Sequence, residues 1–305
     1  MRVFVTGVTG FIGGSIATRL VHEGHRVAGL TRSLDRVDRL AELGIEPVVG
    51  TLDEVDVVAG AAGAADAVIN AADSDHRGVV HTLIDALAGT GKPLLHTSGT
   101  SIVGDDARGH ASNAVFTEAD VRPGGQWRPT SDKAARVAID RLAIAAADRN
   151  VRSVVLCNSL IYGHGRGIGR DSVQLPRLVA HARRSGAARY LGPGENRWST
   201  VHIDDAVDLY LRALDSAPAG SFYFVENGEA SFGEMAGAIA DVMGLGEAQS
   251  WDVEAAIAEW GYEVAVYALG SNSRVRGEAA RNELSWTPRY DSVLHWIRTE
   301  MNAAE

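Results

Sequence analysis

Three glycines near the start of the chain, Gly7, Gly10 and Gly13, have the spacing G-x-x-G-x-x-G. A predicted strand of β-branched and aromatic residues, 1–6, precedes them, and an amphipathic helical pattern follows. Strand, glycine turn and helix in this order suit the pyrophosphate of a dinucleotide, because glycine lets the backbone approach phosphate and the helix N-terminus offers unpaired N–H groups. The alternative is a tight strand-to-helix turn without a ligand.

The end of the second predicted strand, 27–30, indicates which dinucleotide binds. An acid about twenty residues past the glycines binds the ribose 2′-hydroxyl of NAD, whereas an arginine there accommodates the 2′-phosphate of NADP. Arg32 follows this strand, and Arg36 lies one helical turn later. Asp35 competes as an NAD-type acid, but it fits better in the first turn of a helix capped by Ser33. We therefore predict NADP, with a solvated surface charge as the alternative role of Arg32.

Two further strand ends complete the predicted dinucleotide site. Asp53 follows the third strand, 47–49, where it either receives the adenine amino group or caps the next helix. The fourth strand, 67–72, ends in small residues that suit a backbone lying beside a cofactor. The predicted cofactor-binding residues are Gly7, Thr9, Gly10, Phe11, Ile12, Gly13, Arg32, Arg36, Leu52, Asp53, Ala71, Ala72 and Lys133.

Small hydroxyl side chains follow the fifth predicted strand, 94–97. Ser98 and Thr100 lie where the carboxyl ends of parallel strands bind ligands, so they could orient a substrate, and strand-end capping is their alternative role. His110 and His164 lie in loops near the expected cleft and could act as general acids, although a loop histidine can also be simply solvated. No cluster of His, Cys or acidic residues has the spacing of metal ligands, so no metal is predicted.

Strands alternate with helical patterns over the first 160 or so residues, with helices predicted at 75–90 and 130–148 and a further strand at 151–156. This alternation predicts an α/β fold with a doubly wound parallel sheet. After residue 165 the rhythm changes to short helices, one of them near 175–184. We interpret 1–165 as a dinucleotide-binding domain and 166–305 mainly as a smaller substrate-binding cap, mostly helical, with 198–218 returning to the first domain. The stretch 104–127 lacks periodicity and is predicted to be a functional or mobile loop.

The composition is that of an ordinary globular protein, with 46% hydrophobic and 22% charged residues among 305. The net charge of −10 argues against broad binding to nucleic acid or to anionic membranes, which both require a basic surface. Cys157 is the only cysteine and is predicted to be a small buried residue. Without a possible intrachain disulfide, an apolar stretch long enough for a membrane helix or room for a signal peptide, the expected location is the cytoplasm.

With these features the chain resembles the extended short-chain dehydrogenase/reductase superfamily, which includes nucleotide-sugar epimerases and dehydratases. The resemblance spans nearly the whole chain. It rests on the glycine turn, on Tyr162-Gly163 closing a strand, on Val201-His202-Ile203-Asp204-Asp205, and on the late segment Leu284-Ser285-Trp286-Thr287-Pro288. It implies a Rossmann domain, a nicotinamide dinucleotide and a small-molecule substrate. It also implies a homodimer paired through the helices at 75–90 and 130–148, whose outer faces in this sequence do not decide the question.

Members of this superfamily usually use a Ser or Thr, an Asn, and a Tyr and a Lys spaced Y-x-x-x-K, in which the lysine holds the nicotinamide ribose and the tyrosine passes the proton. Lys133 matches the lysine, and an exposed helix charge is its alternative role. The tyrosine position is occupied by Pro129, which cannot donate a proton, and the hydroxyl position falls on Gly99. Asp75 stands in the asparagine position, where it could replace the Asn or cap a helix. The resemblance is therefore to an atypical subgroup with an eroded tetrad.

Tyr162 could donate the proton in place of the missing tyrosine, although a tyrosine at this position is also common as packing. The arginine that nucleotide-sugar enzymes carry before the V-H-x-D segment aligns with Trp198, with Arg197 shifted by one residue. The favoured hypothesis is an NADP(H)-dependent oxidoreductase acting on a small carbonyl or its alcohol. The alternatives are an epimerase or dehydratase with a transiently reduced cofactor, and a non-catalytic NADP(H)-responsive binding protein. The predicted catalytic residues are Asp75, Ser98, Thr100, Lys133 and Tyr162.

Overall fold

A computed structural model describes residues 1–302 of the chain. The strands are β1 Arg2–Thr6, β2 Arg26–Thr31, β3 Ile45–Val49, β4 Ala67–Asn70, β5 Pro93–Gly99, β6 Phe116–Thr117, β7 Arg152–Asn158, β8 Leu160–Tyr162, β9 Arg189–Leu191, β10 Arg197–His202, β11 Ser221–Val225, β12 Glu229–Ser231, β13 Gln249–Trp251 and β14 Val275–Arg276. The helices are α1 Phe11–His22, α2 Val37–Glu42, α3 Val55–Gly63, α4 Arg77–Leu87, α5 Glu118–Val121, α6 Ala134–Ala145, α7 Gln174–Ser185, α8 Ile203–Ser216, α9 Phe232–Met243, α10 Val253–Trp260, α11 Ala279–Glu283 and α12 Val293–Thr299.

Within these residues, seven strands form one parallel sheet in the order β11-β7-β5-β4-β1-β2-β3. This confirms the predicted doubly wound sheet. Its central strands are buried because helices cover both faces, and Val3, Phe4 and Val5 of β1 are fully buried. The strand order reverses between β1 and β4, and ligands bind at such a switch point, beyond the carboxyl ends of the strands.

The seventh strand, β11, lies in a stretch for which the sequence pattern predicts short helices. It instead pairs with β7 along Ser221–Val225 and is buried over its length. The predicted long loop 104–127 also contains a short strand and a helix: β6 pairs with β14, and α5 begins with a capping box between Thr117 and Asp120. The β11–β7 and β6–β14 pairings both join residues that are distant in sequence, so no local sequence pattern predicts them.

Two apolar clusters lie on opposite faces of the sheet. One joins β1 and β2 to α1 and α8 and includes Ile16, Leu20 and Trp286. The other joins the opposite face of the sheet to α3, α4 and α6. A third cluster holds α7, α9 and α12 together with short strands such as β8 and β9, and it forms the smaller, mostly helical part of the protein beside the carboxyl edge of the sheet.

No helix within residues 1–302 is long and apolar enough to cross a membrane.

Candidate active site

The turn between β1 and α1 is shaped by glycines. Gly7 has a φ of +70°, and a Cβ atom on it would lie 2.4 Å from the carbonyl oxygen of Ala71. A Cβ on Gly13 would lie 2.4 Å from the carbonyl oxygen of Gly7. Gly10 is the N-cap of α1, and no side chain caps the helix or places a carboxylate in its first turn. The glycines therefore allow the close backbone packing of this turn, and the free N–H groups at the start of α1 fit a dinucleotide pyrophosphate.

A second glycine-rich segment, residues 163–170, packs against this turn; we call it the glycine strap. A Cβ on Gly167 would lie 2.7 Å from the Cα of Gly14, so the two backbones are in direct contact. The Arg166 N–H donates to Ser15 Oγ at 3.0 Å, and the Arg166 guanidinium pairs with Asp204 at 2.7 Å. The strap therefore forms the outer wall of the turn, and its glycines permit this close approach.

Arg32 and Arg36 line a recess of about 300 Å³ at the end of β2, together with Thr9, Thr31, Ser33, Ile168 and Gly169. Asp35 is not among the lining residues; its carboxylate lies 3.4 Å from Arg36 Nε. Asp35 does lie in the first turn of a short 3-10 helix after Ser33, although the Ser33 side chain makes no cap hydrogen bond. Two arginines therefore line a recess beside the glycine turn.

The predicted adenine side of the site is more open. One of the two predicted roles of Asp53, capping the next helix, is wrong. The N-cap of α3 is Glu54, and no side chain makes a cap hydrogen bond to this helix. The Asp53 carboxylate instead contacts His76 Nε2 at 3.1 Å. Leu52 packs partly buried against the apolar cluster on this face of the sheet, and Ala71 and Ala72 adjoin Gly7.

A cavity of about 770 Å³ opens beside the glycine turn at the carboxyl edge of the sheet. The structure brings together here Gly10, Phe11, Ile12 and Ala71 of the predicted cofactor site with Asp75, Ser98, Thr100 and Lys133 of the predicted catalytic set. Residues from the third apolar cluster's side close the cavity, including Val173, Gln174, Trp198, Glu263 and Tyr267.

Asp75 is not the N-cap of the following helix, contrary to the predicted cap role. His76 fills that position, and its Nδ1 accepts the Val79 N–H at 3.0 Å. The Asp75 carboxylate accepts two hydrogen bonds from Arg136, the one from Nε at 2.7 Å. This contact lowers the pKa of Asp75, so the carboxylate is charged and balances the guanidinium. Arg136 also donates to Ser101 Oγ at 3.0 Å. Asp75, Ser101 and Arg136 therefore form one connected group in the cavity wall.

Lys133 immediately precedes α6, and only 13% of its side chain is exposed, so it is not an exposed helix charge. Its Nζ lies 3.1 Å from Asp132 Oδ2 and 3.9 Å from the centre of the Tyr267 ring. Tyr267 belongs to a π-helical turn, Glu263–Leu269, on the far side of the cavity. The ammonium group is therefore held between the Rossmann part of the chain and the cavity's outer wall.

Ser98 and Thr100 both make specific hydrogen bonds, so neither is a plain strand-end cap. Ser98 lies within β5, and its Oγ donates to Asp140 Oδ2 at 2.8 Å. Thr100 is fully buried, and its Oγ1 accepts a hydrogen bond from Ser273 Oγ at 2.8 Å. The Ser98 hydroxyl thus lies between the cavity and a buried acid, whereas the Thr100 hydroxyl is used to join two segments of the chain.

Tyr162 is outside the cavity, and the predicted proton-donor role is therefore corrected to a packing role. Its ring is fully buried beside His202 and Trp296, and its hydroxyl donates to the Tyr290 carbonyl at 3.3 Å. Burial raises the pKa of the phenol, which makes it a poor source of protons.

The two loop histidines do not line the cavity either. His164 contacts the Glu300 carbonyl through Nε2 at 3.1 Å, and His110 is exposed. Cys157 is fully buried on β7, as predicted.

Sequence reasoning missed a buried polar chain behind Ser98. Thr6 donates to Asn70 Oδ1 at 2.6 Å, and Asn70 Nδ2 lies 3.1 Å from His96 Nδ1. His96 Nε2 faces Asp140 Oδ1 at 3.6 Å. Two signals could have found it: His96 and Ser98 alternate on one face of β5, and Arg136 and Asp140 of α6 follow Lys133, which caps this helix, at helical spacing.

The matching family model is described as the NAD dependent epimerase/dehydratase family, and it covers residues 3–225. The chain belongs to this family, and with it to the extended short-chain dehydrogenases/reductases. The family's description names NAD, which is the class of dinucleotide that the glycine cradle fits.

Among named relatives, an oxidase, ucsJ, from Acremonium sp is 32% identical over 94% of this chain and 92% of its own. A 2-alkyl-3-oxoalkanoate reductase from Stenotrophomonas maltophilia is 30% identical over 75% of this chain and 71% of its own. A UDP-glucuronic acid 4-epimerase from Bacillus cereus, solved with UDP-glucuronic acid and NAD, superposes with a TM-score of 0.75 at 15% identity, covering 98% of each chain. At that identity the last comparison shows a shared fold.

Proposed function

We propose that the protein is an NADP(H)-dependent oxidoreductase acting on a small carbonyl compound or the corresponding alcohol. The observation that carries the proposal is the recess lined by Arg32 and Arg36, which adjoins the glycine turn and therefore the cavity. Relatives that are similar over most of the chain are named as an oxidase and a reductase, which supports redox chemistry.

The chain's own groups suit the parts of such a reaction. Gly7, Gly10 and Gly13 would hold the pyrophosphate, and Arg32 with Arg36 the 2′-phosphate. When bound, the cofactor supplies or accepts a hydride. Lys133 is placed in the cavity wall, where its ammonium would hold the nicotinamide ribose and add positive charge beside the reacting oxygen. The volume of about 770 Å³ suits the nicotinamide end together with a small substrate.

The nucleotide-sugar alternative lacks support in the geometry. Arg197 does not line the cavity; its guanidinium lies 3.3 Å from Glu234. Trp198 occupies the cavity wall instead, and its indole N–H donates to the Ser271 carbonyl at 3.0 Å. The residues in these positions therefore offer no free guanidinium for a nucleotide diphosphate.

Two measurements test the proposal. NADPH oxidation is followed by absorbance with a panel of aldehydes, ketones and 3-oxo acids, and turnover of at least one class is expected. Titration calorimetry should show that NADP binds tens of fold more tightly than NAD, since a charge-assisted hydrogen bond contributes about 1.5–3 kcal/mol. Arg32→Ala should remove most of this preference, whereas Arg39→Ala, which removes an exposed arginine on α2, should not.

Net consumption of NADPH also separates this proposal from an epimerase or dehydratase, which would recycle the cofactor. Binding of NADPH without turnover of any compound in the panel would favour a non-catalytic NADP(H)-responsive protein. Equal affinities for NAD and NADP would overturn the assignment of the cofactor.

A further inference from the structure

The cavity needs a proton source that the usual motif does not provide. Pro129 stands four residues before Lys133, and Tyr162 is buried elsewhere. The cavity-lining hydroxyls to consider are those of Ser98, Thr100, Ser101, Ser159, Ser172 and Tyr267.

Among the described residues, none of the five hydroxyls other than that of Ser98 is hydrogen-bonded to a carboxyl group, and Ser172 has no hydrogen-bond partner. Ser101 Oγ accepts from Arg136, and Thr100 Oγ1 accepts from Ser273. Ser159 Oγ donates to the Val225 carbonyl at 2.8 Å. The Tyr267 ring lies against Lys133 and makes an edge contact with the Tyr262 ring, with 5.6 Å between the ring centres. Ser98 differs because its hydrogen-bond partner is itself a potential acid.

That partner, Asp140, lies two helical turns after Lys133 on α6 and is almost fully buried. Successive side chains of β5 point to opposite faces of the sheet, so His96 and Ser98 both face α6, whereas Thr97 contacts Tyr210 of α8. Ser98 therefore joins the cavity to a carboxyl group that solvent does not reach.

The surroundings of Asp140 favour its protonated form. His96 Nδ1 accepts the Asn70 amide, which assigns the imidazole proton to Nε2, but this atom stays 3.6 Å from Asp140 Oδ1. Neither atom has a hydrogen-bond partner among the described residues. Burial raises the pKa of Asp140 to about 7, against a lowering by Ser98 and Arg136, and lowers the pKa of His96 to about 4. Asp75 also faces this carboxyl and raises its pKa, and the nearby Cys157 thiol is neutral because burial raises its pKa.

We infer that Ser98 and Asp140 form the proton-donating pair of this site, with Ser98 touching the substrate and Asp140 supplying Ser98. The inference rests on the proposed reduction of a carbonyl by reduced nicotinamide. As the hydride reaches the carbonyl carbon, the carbon–oxygen π bond breaks and its electron pair goes to oxygen. With Asp140 protonated, the 2.8 Å contact runs from the carboxyl O–H to Ser98 Oγ, the reverse of its direction with a carboxylate, and the Ser98 hydroxyl can donate to the substrate. The substrate oxygen takes the Ser98 hydroxyl proton, and Ser98 takes the Asp140 proton, which leaves a carboxylate. After the product leaves, Asp140 regains a proton from cavity water through Ser98.

The first experiment needs neither cofactor nor substrate. Infrared difference spectra between about pH 6 and about pH 8 should show a protonated carboxyl C=O band that disappears at the higher pH, as expected for an acid that titrates near neutrality. This band should be absent from Asp140→Asn and retained in Asp56→Asn, which alters an exposed acid on α3. Absence of the band from the unchanged protein would overturn the inference, whatever the outcome of any activity assay.

The second experiment uses single-turnover oxidation of NADPH with a carbonyl compound that the panel identifies. Ser98→Ala should lower the rate about 10²–10⁴-fold, the usual range for loss of a general acid. Ser98→Thr, which keeps a hydroxyl, should retain more of the rate, and Ser153→Ala, which removes a buried serine hydroxyl from β7, should leave it unchanged. NADPH affinity and thermal denaturation show whether each variant is folded.

The pH profile separates proton supply from a merely structural role. The rate of the unchanged protein should fall above about pH 7 as Asp140 ionises. Asp140→Asn should be slower and lack this limb. A full rate in Ser98→Ala, or an unchanged limb in Asp140→Asn, would overturn the inference. If no compound of the panel reacts, the proposed function fails, while the infrared band still decides whether Asp140 holds a proton.

Discussion

The glycine turn and the floor of the cavity lie side by side at the carboxyl edge of the sheet, but they are built in different ways. The turn is defined by its backbone: the absence of side chains at Gly7 and Gly13 lets backbone segments pack directly against one another. The cavity floor is defined by side chains from separate segments, with Ser98 on β5, Asp140 and Arg136 on α6, and neighbouring groups behind them.

This difference explains how the two regions can diverge. A backbone cradle tolerates few changes, because any added Cβ meets another backbone atom. A side-chain site can lose one donor, such as the tyrosine replaced by Pro129, and use a donor from another element. The fold and the dinucleotide site can therefore be retained while the chemistry beside them is carried by other residues.

The variant with the largest expected effect is Gly13→Ala, which tests whether the backbone of the glycine turn forms the phosphate site. An alanine in a helix normally stabilises it by up to about 1 kcal/mol relative to glycine. At this position the Cβ would lie 2.4 Å from the Gly7 carbonyl oxygen, so we expect a loss of about 1–3 kcal/mol of stability and at least a tenfold loss of NADPH affinity. Gly60→Ala is the matched control, since it lies within α3 with open space around it. Unchanged affinity in Gly13→Ala, measured by calorimetry, would show that the backbone cradle is not the phosphate site.

A smaller effect is expected from the glycine strap. In Gly167→Ala the added Cβ would lie 2.7 Å from Gly14 Cα, which must push the strap away from α1. The strap forms the outer wall of the turn rather than the phosphate cradle itself, so NADPH affinity should fall several-fold, less than in Gly13→Ala. Gly237→Ala on α9, where a Cβ meets nothing within 4 Å, is the control. If Gly167→Ala binds NADPH as tightly as Gly237→Ala and the unchanged protein do, the glycine strap has no part in the cofactor site.

The predictable part of the fold follows from local patterns. Buried β-branched strands and amphipathic helices alternate through the first 160 or so residues, and six of the seven strands of the main sheet could be predicted from them. β11 could not, since its five buried residues follow the change of rhythm and its assignment depends on pairing with β7. The ends of elements also moved: α4 begins at Arg77 because His76, rather than Asp75, caps it.

The site divides in the same way. The glycine turn is contiguous, so spacing alone indicates it. The Ser98–Asp140 contact joins residues 42 positions apart, and nothing local pairs them. Asp75 illustrates the limit: its type and position suit an N-cap, but Arg136, 61 residues away, engages its carboxylate instead. Tyr162 shows the reverse, because a tyrosine beside a glycine at a strand end indicates function, while packing against Trp296 buries it.

The last prediction concerns stability against pH and isolates the buried pair from any assay of function. The raised pKa of Asp140, about 7, means that the folded protein binds this proton more tightly than the unfolded chain, so its contribution to stability is lost as the pH rises toward 7. The lowered pKa of His96, about 4, has the opposite sign: its contribution grows as the pH rises from about 4 to 6.5. In the unchanged protein the two trends nearly cancel below about pH 6.5.

Asp140→Asn removes only the first trend. The variant should therefore gain stability relative to the unchanged protein as the pH rises from about 5 to about 8, reaching a difference of about 1–3 kcal/mol at the upper end. Urea denaturation at constant ionic strength measures this difference, with Asp56→Asn as the control for loss of an exposed charge. Parallel stability curves for Asp140→Asn and the unchanged protein would mean that Asp140 is already ionised in the fold. The cavity floor would then hold a fixed negative charge beneath Ser98 instead of a proton to deliver.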